Sequence, residues 1–243
     1  MNTKTLKEDV HTPWRINILT LFPDMFPGPL GHSLIGKALE KKLWDLNVIN
    51  IRDFATGVHR SVDDTPFGGG AGMVFKADVL DTAYQSLGND KSSPTYYLSP
   101  RGKPLDQKTA EKLSREPGLN LLCGRYEGVD ERFLEKRGIE ELSIGDYILS
   151  GGELAAMVLL DACLRLRPGI LGKEVSFQDE SFCNGLLEYP HYTRPQVWEG
   201  EVVPEVLVSG HHARICQWRQ EMAEKITQAR RPDLWILYKK RNE

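Results

Sequence analysis

Ile144-Gly145-Asp146-Tyr147-Ile148-Leu149-Ser150-Gly151-Gly152-Glu153 places three glycines, one aromatic and two acids in ten residues, and runs straight into the apolar stretch Leu154 to Leu166. Glycine is costly inside regular structure, so this density means that the backbone bends tightly or meets something closely. A second segment of the same kind lies upstream, Cys123-Gly124-Arg125-Tyr126-Glu127-Gly128-Val129-Asp130-Glu131, directly after the apolar run Leu119 to Leu122. Two glycine-bearing loops that follow short apolar strands point to one pocket walled by main chain, with Tyr147 expected as a buried aromatic beside it.

Outward from these loops the pattern is strand, helix, strand, helix. Trp14 to Leu21 reads as a first strand, ended by Phe22-Pro23-Asp24-Met25-Phe26. Ser33 to Lys42 predicts a helix with Ser33 as N-cap and Leu34, Ile35, Ala38 and Leu39 on one face. Val48 to Arg52 predicts a second strand, Asp53 to Gly72 a polar loop, and Ala77 to Leu87 a helix. Thr95 to Leu98 is a strand that stops at Ser99-Pro100-Arg101-Gly102, Asp106 to Arg115 a helix, and Leu119 to Cys123 and Ile139 to Ser143 further strands. The alternation implies an α/β fold: a mostly parallel sheet covered on both faces. Ligands of such sheets bind beyond the C-terminal strand ends, where the segments 99–102, 123–128 and 144–152 are expected to converge.

Arg167-Pro168-Gly169 breaks the pattern. The expected organisation is a loose extension over 1–13, an α/β ligand-binding domain over 14–170, a linker over 171–190, and a small helical domain over 191–243. The last contains Ala213 to Arg230, with Ile215, Trp218, Met222 and Ile226 at helical spacing, and a final helix from Pro232 to Lys240.

Among 243 residues, 31 Lys and Arg stand against 34 Asp and Glu, a net charge of -3, which excludes binding of nucleic acid through bulk positive charge. Basic residues do concentrate late, at Arg214, Arg219, Lys225, Arg230, Arg231 and Lys239-Lys240-Arg241. The four cysteines lack paired spacing, which argues against a zinc site or a disulfide framework and fits a reducing cytoplasm. No apolar run reaches membrane-spanning length, and no signal-peptide core opens the chain. No G-x-G-x-x-G follows an early strand, so a Rossmann dinucleotide site is disfavoured. Asp63-Asp64 before Pro66-Phe67-Gly68-Gly69-Gly70 lacks the Gly-Lys-Ser/Thr of a Walker loop, and two acids in one short run are too few ligands to assign magnesium.

Several segments together resemble the bacterial tRNA (guanine-37-N1)-methyltransferase family of the SPOUT superfamily. They are Asp63-Asp64-Thr65-Pro66-Phe67-Gly68-Gly69-Gly70-Ala71-Gly72-Met73, Leu98-Ser99-Pro100, Cys123 to Gly128, the 144–153 run and Pro190-His191-Tyr192-Thr193-Arg194-Pro195, continued by Ser209-Gly210-His211-His212 and Trp218-Arg219. The resemblance extends from Arg15 to the end of the chain. It implies a deep trefoil knot, which is a rare exception to chain topology. It also implies an obligate homodimer with active sites completed across the interface, S-adenosyl-L-methionine as methyl donor, and tRNA with guanine at position 37 as substrate.

The resemblance further implies a donor-binding set of Ser99, Pro100, Gly124, Tyr126, Glu127, Ile144, Gly145, Asp146, Tyr147, Ile148, Leu149, Gly151 and Gly152. Such a site makes chemical sense, because main-chain N–H and C=O groups can read adenine edges where glycine leaves them accessible. N1 of guanine carries a proton at neutral pH, so methylation there needs a general base and a donor for charge growing on O6. By resemblance the base comes from the linker segment ending in Ser-Phe, here Gln178-Asp179-Glu180-Ser181-Phe182, and the arginine is Arg165. The family usually has aspartate directly before Ser-Phe. This chain has Glu180 there, with Asp179 as the alternative. Asp63, His191, Tyr192 and Arg194 are the expected RNA contacts, the aromatic and arginine side chains suiting an unstacked base and phosphate. An RNA-binding protein without chemistry and a ribose methyltransferase compete with this reading. Intact donor loops argue against the first, and the linker carboxylate with the 190–195 segment argues against the second.

Overall fold

The strand Gly118–Cys123 is buried at every position, which a central strand covered on both faces permits. The structure is a computed structural model that describes residues 12–88, 92–171 and 180–242. The chain divides into two units, Met1–Glu174 and Val175–Glu243.

In order, the first unit holds β1 (Trp14–Thr20), α1 (Ser33–Glu40), β2 (Trp44–Asn50), β3 (Asp63–Asp64), β4 (Val74–Phe75), α2 (Ala77–Gln85), β5 (Thr95–Pro104), α3 (Gln107–Ser114), β6 (Gly118–Cys123), α4 (Glu131–Arg137), β7 (Glu140–Ser143) and α5 (Glu153–Leu164). Five strands form one sheet in the order β2-β1-β6-β5-β7, and every pair in it is parallel. Side chains alternate between two cores, as the strand period requires. Ile16, Ile18, Tyr96, Leu98, Leu119 and Leu121 pack with α1, α3 and α5 on one face. Leu19, Tyr97 and Leu122 pack with α2 and α4 on the other.

One polar line crosses this apolar sheet. Asn47 Nδ2 donates to Asn17 Oδ1 at 2.9 Å, Asn17 Nδ2 to Asn120 Oδ1 at 2.8 Å, and Asn120 Nδ2 to Thr95 Oγ1 at 3.2 Å and Ser93 O at 3.1 Å. The four side chains stand at matching register positions. A one-residue slip of β1, β5 or β6 takes a partner from the buried amide of Asn120, so the line fixes the register of the central strands where apolar contacts alone are forgiving.

The structure corrects four expectations. The second strand is Trp44–Asn50, and Ile51–Phe54 is a 3-10 turn with Asn50 Oδ1 accepting from Arg52 N at 3.0 Å. Polar Asp45 and Asn47 conceal a strand whose pairing with β1 begins at Trp14 and Trp44. Ser33 does not cap α1: it opens the helix at φ +57, with His32 in the cap position and no side-chain cap bond. The strand from Thr95 runs on to Pro104, but both Leu98 and Lys103 stand opposite Leu142, so the chain bulges outward between them. Glu131–Arg137 is a helix where none was anticipated. Asp130 caps it by accepting from Arg132 N at 3.0 Å, and it buries only Phe133 and Leu134.

In the second unit, β8 (Val197–Trp198) and β9 (Glu201–Val202) form an antiparallel pair, followed by α6 (Glu205–Val208), α7 (His212–Arg230) and α8 (Pro232–Asn242). The hydroxyl of Tyr238 on α8 accepts from Gln220 Nε2 at 3.0 Å and donates to Glu224 Oε1 at 3.1 Å, tying α8 to α7. Among the described residues no helix is long and apolar enough to cross a membrane.

Asn120→Ala removes the centre of the amide line and leaves Asn17 with an unmet donor. Unfolding in urea is expected to show a loss of about 1–3 kcal/mol, with the midpoint lowered and the slope unchanged.

Candidate functional site

Beyond the C-terminal ends of the paired stretches of β5, β6 and β7, three segments enclose a cleft of about 340 Å³. Ser99 and Pro100 come from the β5 bulge, Gly124, Tyr126 and Glu127 from the turn after β6, and Ile144, Gly145, Tyr147, Ile148, Leu149, Gly151 and Gly152 from the run before α5. All of these were expected to share a site. Asp146, expected with them, has an exposed side chain and does not line the cleft. Tyr147, expected to be buried, is 55% exposed and Ile148 is 80% exposed. Both lie at the open side of the cleft, and the Tyr147 hydroxyl donates to Ile144 O at 3.3 Å.

The glycines serve close approach. A Cβ on Gly152 would lie 2.8 Å from Cys123 Cα, so only glycine lets the start of α5 press on the β6 backbone, where Gly152 N donates to Gly124 O at 2.9 Å. Gly145 has φ +150, and a Cβ there would meet the Tyr147 ring at 2.5 Å.

Beneath the cleft lies a buried ion pair that the sequence reading did not single out. Glu153, in the first turn of α5, is 1% exposed. Its Oε1 accepts from Thr20 Oγ1, at the end of β1, at 2.7 Å, and its Oε2 faces Arg125 Nη2 at 3.0 Å. Arg125 also donates from Nη1 to Ser150 O at 3.2 Å and lies over the Phe22 ring at 4.3 Å. The pair is off hydrogen-bond geometry, leaving Arg125 Nε and Glu153 Oε2 without a hydrogen bond among the described residues. The signal in the sequence is an acid at the head of an otherwise apolar helix and an arginine beside a glycine in the facing loop. Cys123 alongside is buried, and burial, with Glu153 nearby, holds its thiol far above the usual range.

The glycine-rich loop after Asp63 is stitched to the same wall. Asp63 pairs with Phe75 in the β3–β4 ladder, Glu127 N donates to Met73 O at 2.9 Å, and Phe75 N donates to Gly128 O at 3.0 Å. Asp63 itself does not line the cleft. Arg165 stands at the C-terminal end of α5 in the first unit. Glu180 is partly buried at the start of the described part of the second unit, and Asp179 lies outside the described residues. In that unit His191 Nε2 is 2.8 Å from Glu188 Oε1, Tyr192 packs near Trp218 with ring centroids 6.2 Å apart, and Arg194 is exposed. Arg219 lies over the Tyr189 ring at 4.8 Å. Among the described residues no group of three or more His, Cys, Asp or Glu side chains is placed to hold a metal ion.

Fold and cleft define an α/β protein with a cleft of small-molecule size at the carboxyl ends of parallel strands. Residues 14–237 match the family described as tRNA (Guanine-1)-methyltransferase TrmD, and the chain belongs to that family. It is 60% identical over 224 residues to a tRNA (guanine-N(1)-)-methyltransferase of Rhodospirillum rubrum, covering 92% of this chain and 93% of that one. It is 57% identical over 230 residues to the protein of the same description from Gluconobacter oxydans, covering 95% and 98%. A third, from Pelagibacter ubique, is 59% identical over 229 residues, covering 93% and 99%.

Glu153→Ala leaves Arg125 facing a buried void and unties Thr20. The expected loss is about 3 kcal/mol, the low end for breaking a buried pair because Arg125 keeps some solvent contact, measured as a lowered urea midpoint. Glu135→Ala, at an exposed position of α4, is the comparison and is expected to cost under about 1 kcal/mol.

Proposed function

We propose that the protein transfers a methyl group from S-adenosyl-L-methionine to N1 of guanine 37, beside the anticodon of tRNA, in the cytoplasm. The observation that carries this reading is the convergence of three strand-end segments on one main-chain-walled cleft, in a chain matched to its family over residues 14–237.

The cleft suits the donor. Its volume of about 340 Å³ falls within the roughly 300–1,000 Å³ typical of small-molecule sites. Partly buried Ile144 and Leu149 offer apolar cover for a flat base, while open main-chain groups offer polar edges. When bound, the donor supplies a methyl group on a sulfonium. The chain's own residues then have two tasks. Glu180 receives the N1 proton, freeing the nitrogen lone pair, and Arg165 donates to O6 as negative charge grows there. His191, Tyr192 and Arg194, with the basic side chains of α7 and α8, grip the RNA, and the glycine-rich loop from Asp63 closes over the target nucleotide. The second unit is thus a helical RNA-binding domain.

Two further parts of the reading come from the family pattern. The 123–128 and 144–152 segments belong to a deep trefoil knot, and the active protein is a homodimer with composite sites. Leu154 and Val158, four residues apart on α5, are 51% and 50% exposed, an apolar stripe that a second subunit would cover.

Glu180→Gln preserves shape and removes basicity. Single-turnover methylation of a guanine-37 tRNA transcript, with the product mapped by mass spectrometry, is expected to slow by roughly a hundred- to ten-thousand-fold, with donor affinity nearly intact by calorimetry. Glu180→Asp is expected to retain much more activity, and Asp179→Asn to be the milder change. Loss of turnover in Asp179→Asn alone would move the base one residue back.

Gly145→Val places a branched side chain at φ +150 and against Tyr147. It is expected to abolish donor binding in a folded protein, and an unchanged titration would sink the assignment of the cleft. After subunit exchange, a mixture of Gly145→Val and Glu180→Gln chains is expected to regain activity, and no recovery despite proven exchange would count against shared sites.

A further inference from the structure

Phe67 is the most exposed aromatic side chain among the described residues, 98% open to solvent. A ring left in water forgoes the gain of burial, and here the backbone holds it out. Gly69 N donates to Pro66 O at 3.2 Å, closing a turn with Phe67 at its first corner. Gly68, at φ +89, takes the second corner, where this kind of turn needs a left-handed residue. Asp64 Oδ1 accepts from Thr65 N at 2.8 Å and fixes the approach to the turn.

This turn is rooted on the wall of the ligand cleft. Asp64 pairs with Val74 in the β3–β4 ladder. The residues on either side of Val74 are bound to the turn after β6: Met73 O accepts from Glu127 N at 2.9 Å, and Phe75 N donates to Gly128 O at 3.0 Å. The ring of Phe75 lies 5.4 Å from that of Tyr126. Phe67 is three residues beyond Asp64, so it stays within about 11 Å of that anchored strand.

Pro66 and Phe67 also edge a second cleft, of about 820 Å³, which α4 lines through Arg132, Phe133 and Lys136. The two clefts meet at Val129, which lines both. The lining of the second carries more acids than bases, so what it offers an RNA strand is a ring face and not attraction for phosphate. Unpaired bases stack on aromatic rings whatever their identity, because every base has a π-face.

We infer that the Phe67 ring is a stacking platform for an unpaired base of the RNA, beside the nucleotide that is methylated at the ligand cleft. The contact rests on the proposed reaction at a tRNA guanine and adds to it the side chain that holds the neighbouring part of the same strand.

Anisotropy titration of end-labelled guanine-37 tRNA transcripts with the whole chain, at fixed salt, tests it. Calorimetry with S-adenosylhomocysteine, thermal melting and oligomeric mass are measured alongside. Phe67→Ala is expected to weaken tRNA binding roughly five- to hundredfold, the range for one stacked base, with the other three readouts unchanged. Phe67→Leu keeps an apolar side chain without a ring and is expected to bind as weakly, whereas Phe67→Tyr is expected to bind like the wild type. Among transcripts that each lack one base of the anticodon loop, one is expected to cost the wild type a similar factor and to cost Phe67→Ala nothing more. The inference is overturned if Phe67→Ala binds tRNA like the wild type, if Phe67→Leu restores binding, or if no missing base is coupled to Phe67. It is also overturned if the loss in Phe67→Ala comes with a lowered oligomeric mass, which marks a contact between copies of the chain, or with a melting temperature lowered by several degrees. A wild-type protein that binds S-adenosylhomocysteine but no guanine-37 tRNA would instead overturn the proposed reaction, and with it this contact.

Discussion

A carboxylate removed from water must be paired, and Glu153 is removed from water almost completely. Its two partners, Thr20 and Arg125, come from separate parts of the chain, and the arginine ties in a third. Thr20 ends β1, Arg125 belongs to the turn after β6, and Ser150, held by the same arginine, belongs to the run before α5. Meeting the needs of one acid therefore brings together the end of a strand and two cleft walls. The position at the start of α5 adds to this, since a helix N-terminus favours negative charge. Gly151 and Gly152 follow from the same constraint: a Cβ on Gly151 would lie 2.2 Å from Arg125 Nε, and one on Gly152 would enter the β6 backbone. Gly151 thus makes room for the arginine of the ion pair, and Gly152 for the β6 backbone.

A cleft built this way has walls of fixed main chain over much of its lining. The β5 bulge contributes similarly. By displacing Ser99–Gly102 from the ladder while keeping Leu98 and Lys103 on the same partner, it re-aims one strand end towards the other two, a common use of irregular strands beside sites. Arg101 at the rim is held by Glu131 at 2.8 Å and Glu141 at 2.6 Å. These exposed pairs add little stability, but they join the bulge to α4 and β7.

Where local chemistry is one-sided, it was readable. β6 is continuously apolar, α5 is bounded by Gly-Gly and Arg-Pro-Gly, and the cleft segments carry glycine at a density that regular structure does not support. Where tertiary contact decides, the sequence was mute. β2 is an edge strand with mixed burial, so its period is blurred. α4 is short and buries two residues, too few to show a helical stripe. Ser33 looks like a cap, yet Gly36 N donates to His32 O at 3.0 Å and the serine hydroxyl has no role in the entry. Tyr147 read as buried because aromatics usually are, and a backbone wall leaves it no interior to enter. The Arg125–Glu153 pair joins loops 28 positions apart by number, a contact that no local pattern reports.

In the proposed function Glu180 acts from a position directly before a segment whose register is held firmly. Directly after it, Phe182 N donates to Leu186 O at 2.7 Å and Glu188 N donates to Ser181 Oγ at 3.0 Å, closing a small loop. Leu187 N then donates to Thr227 Oγ1 at 2.8 Å, anchoring that loop on α7 at a residue with no exposed surface. Ser-Phe is therefore a structural landmark, and the residue before it enters from a fixed stem. A one-residue register shift would have to break these bonds, whereas an added methylene changes only the reach of the carboxylate. The proposed proton acceptor, Glu180, uses this landmark: its carboxylate stands directly before Ser181-Phe182, with one added methylene of reach.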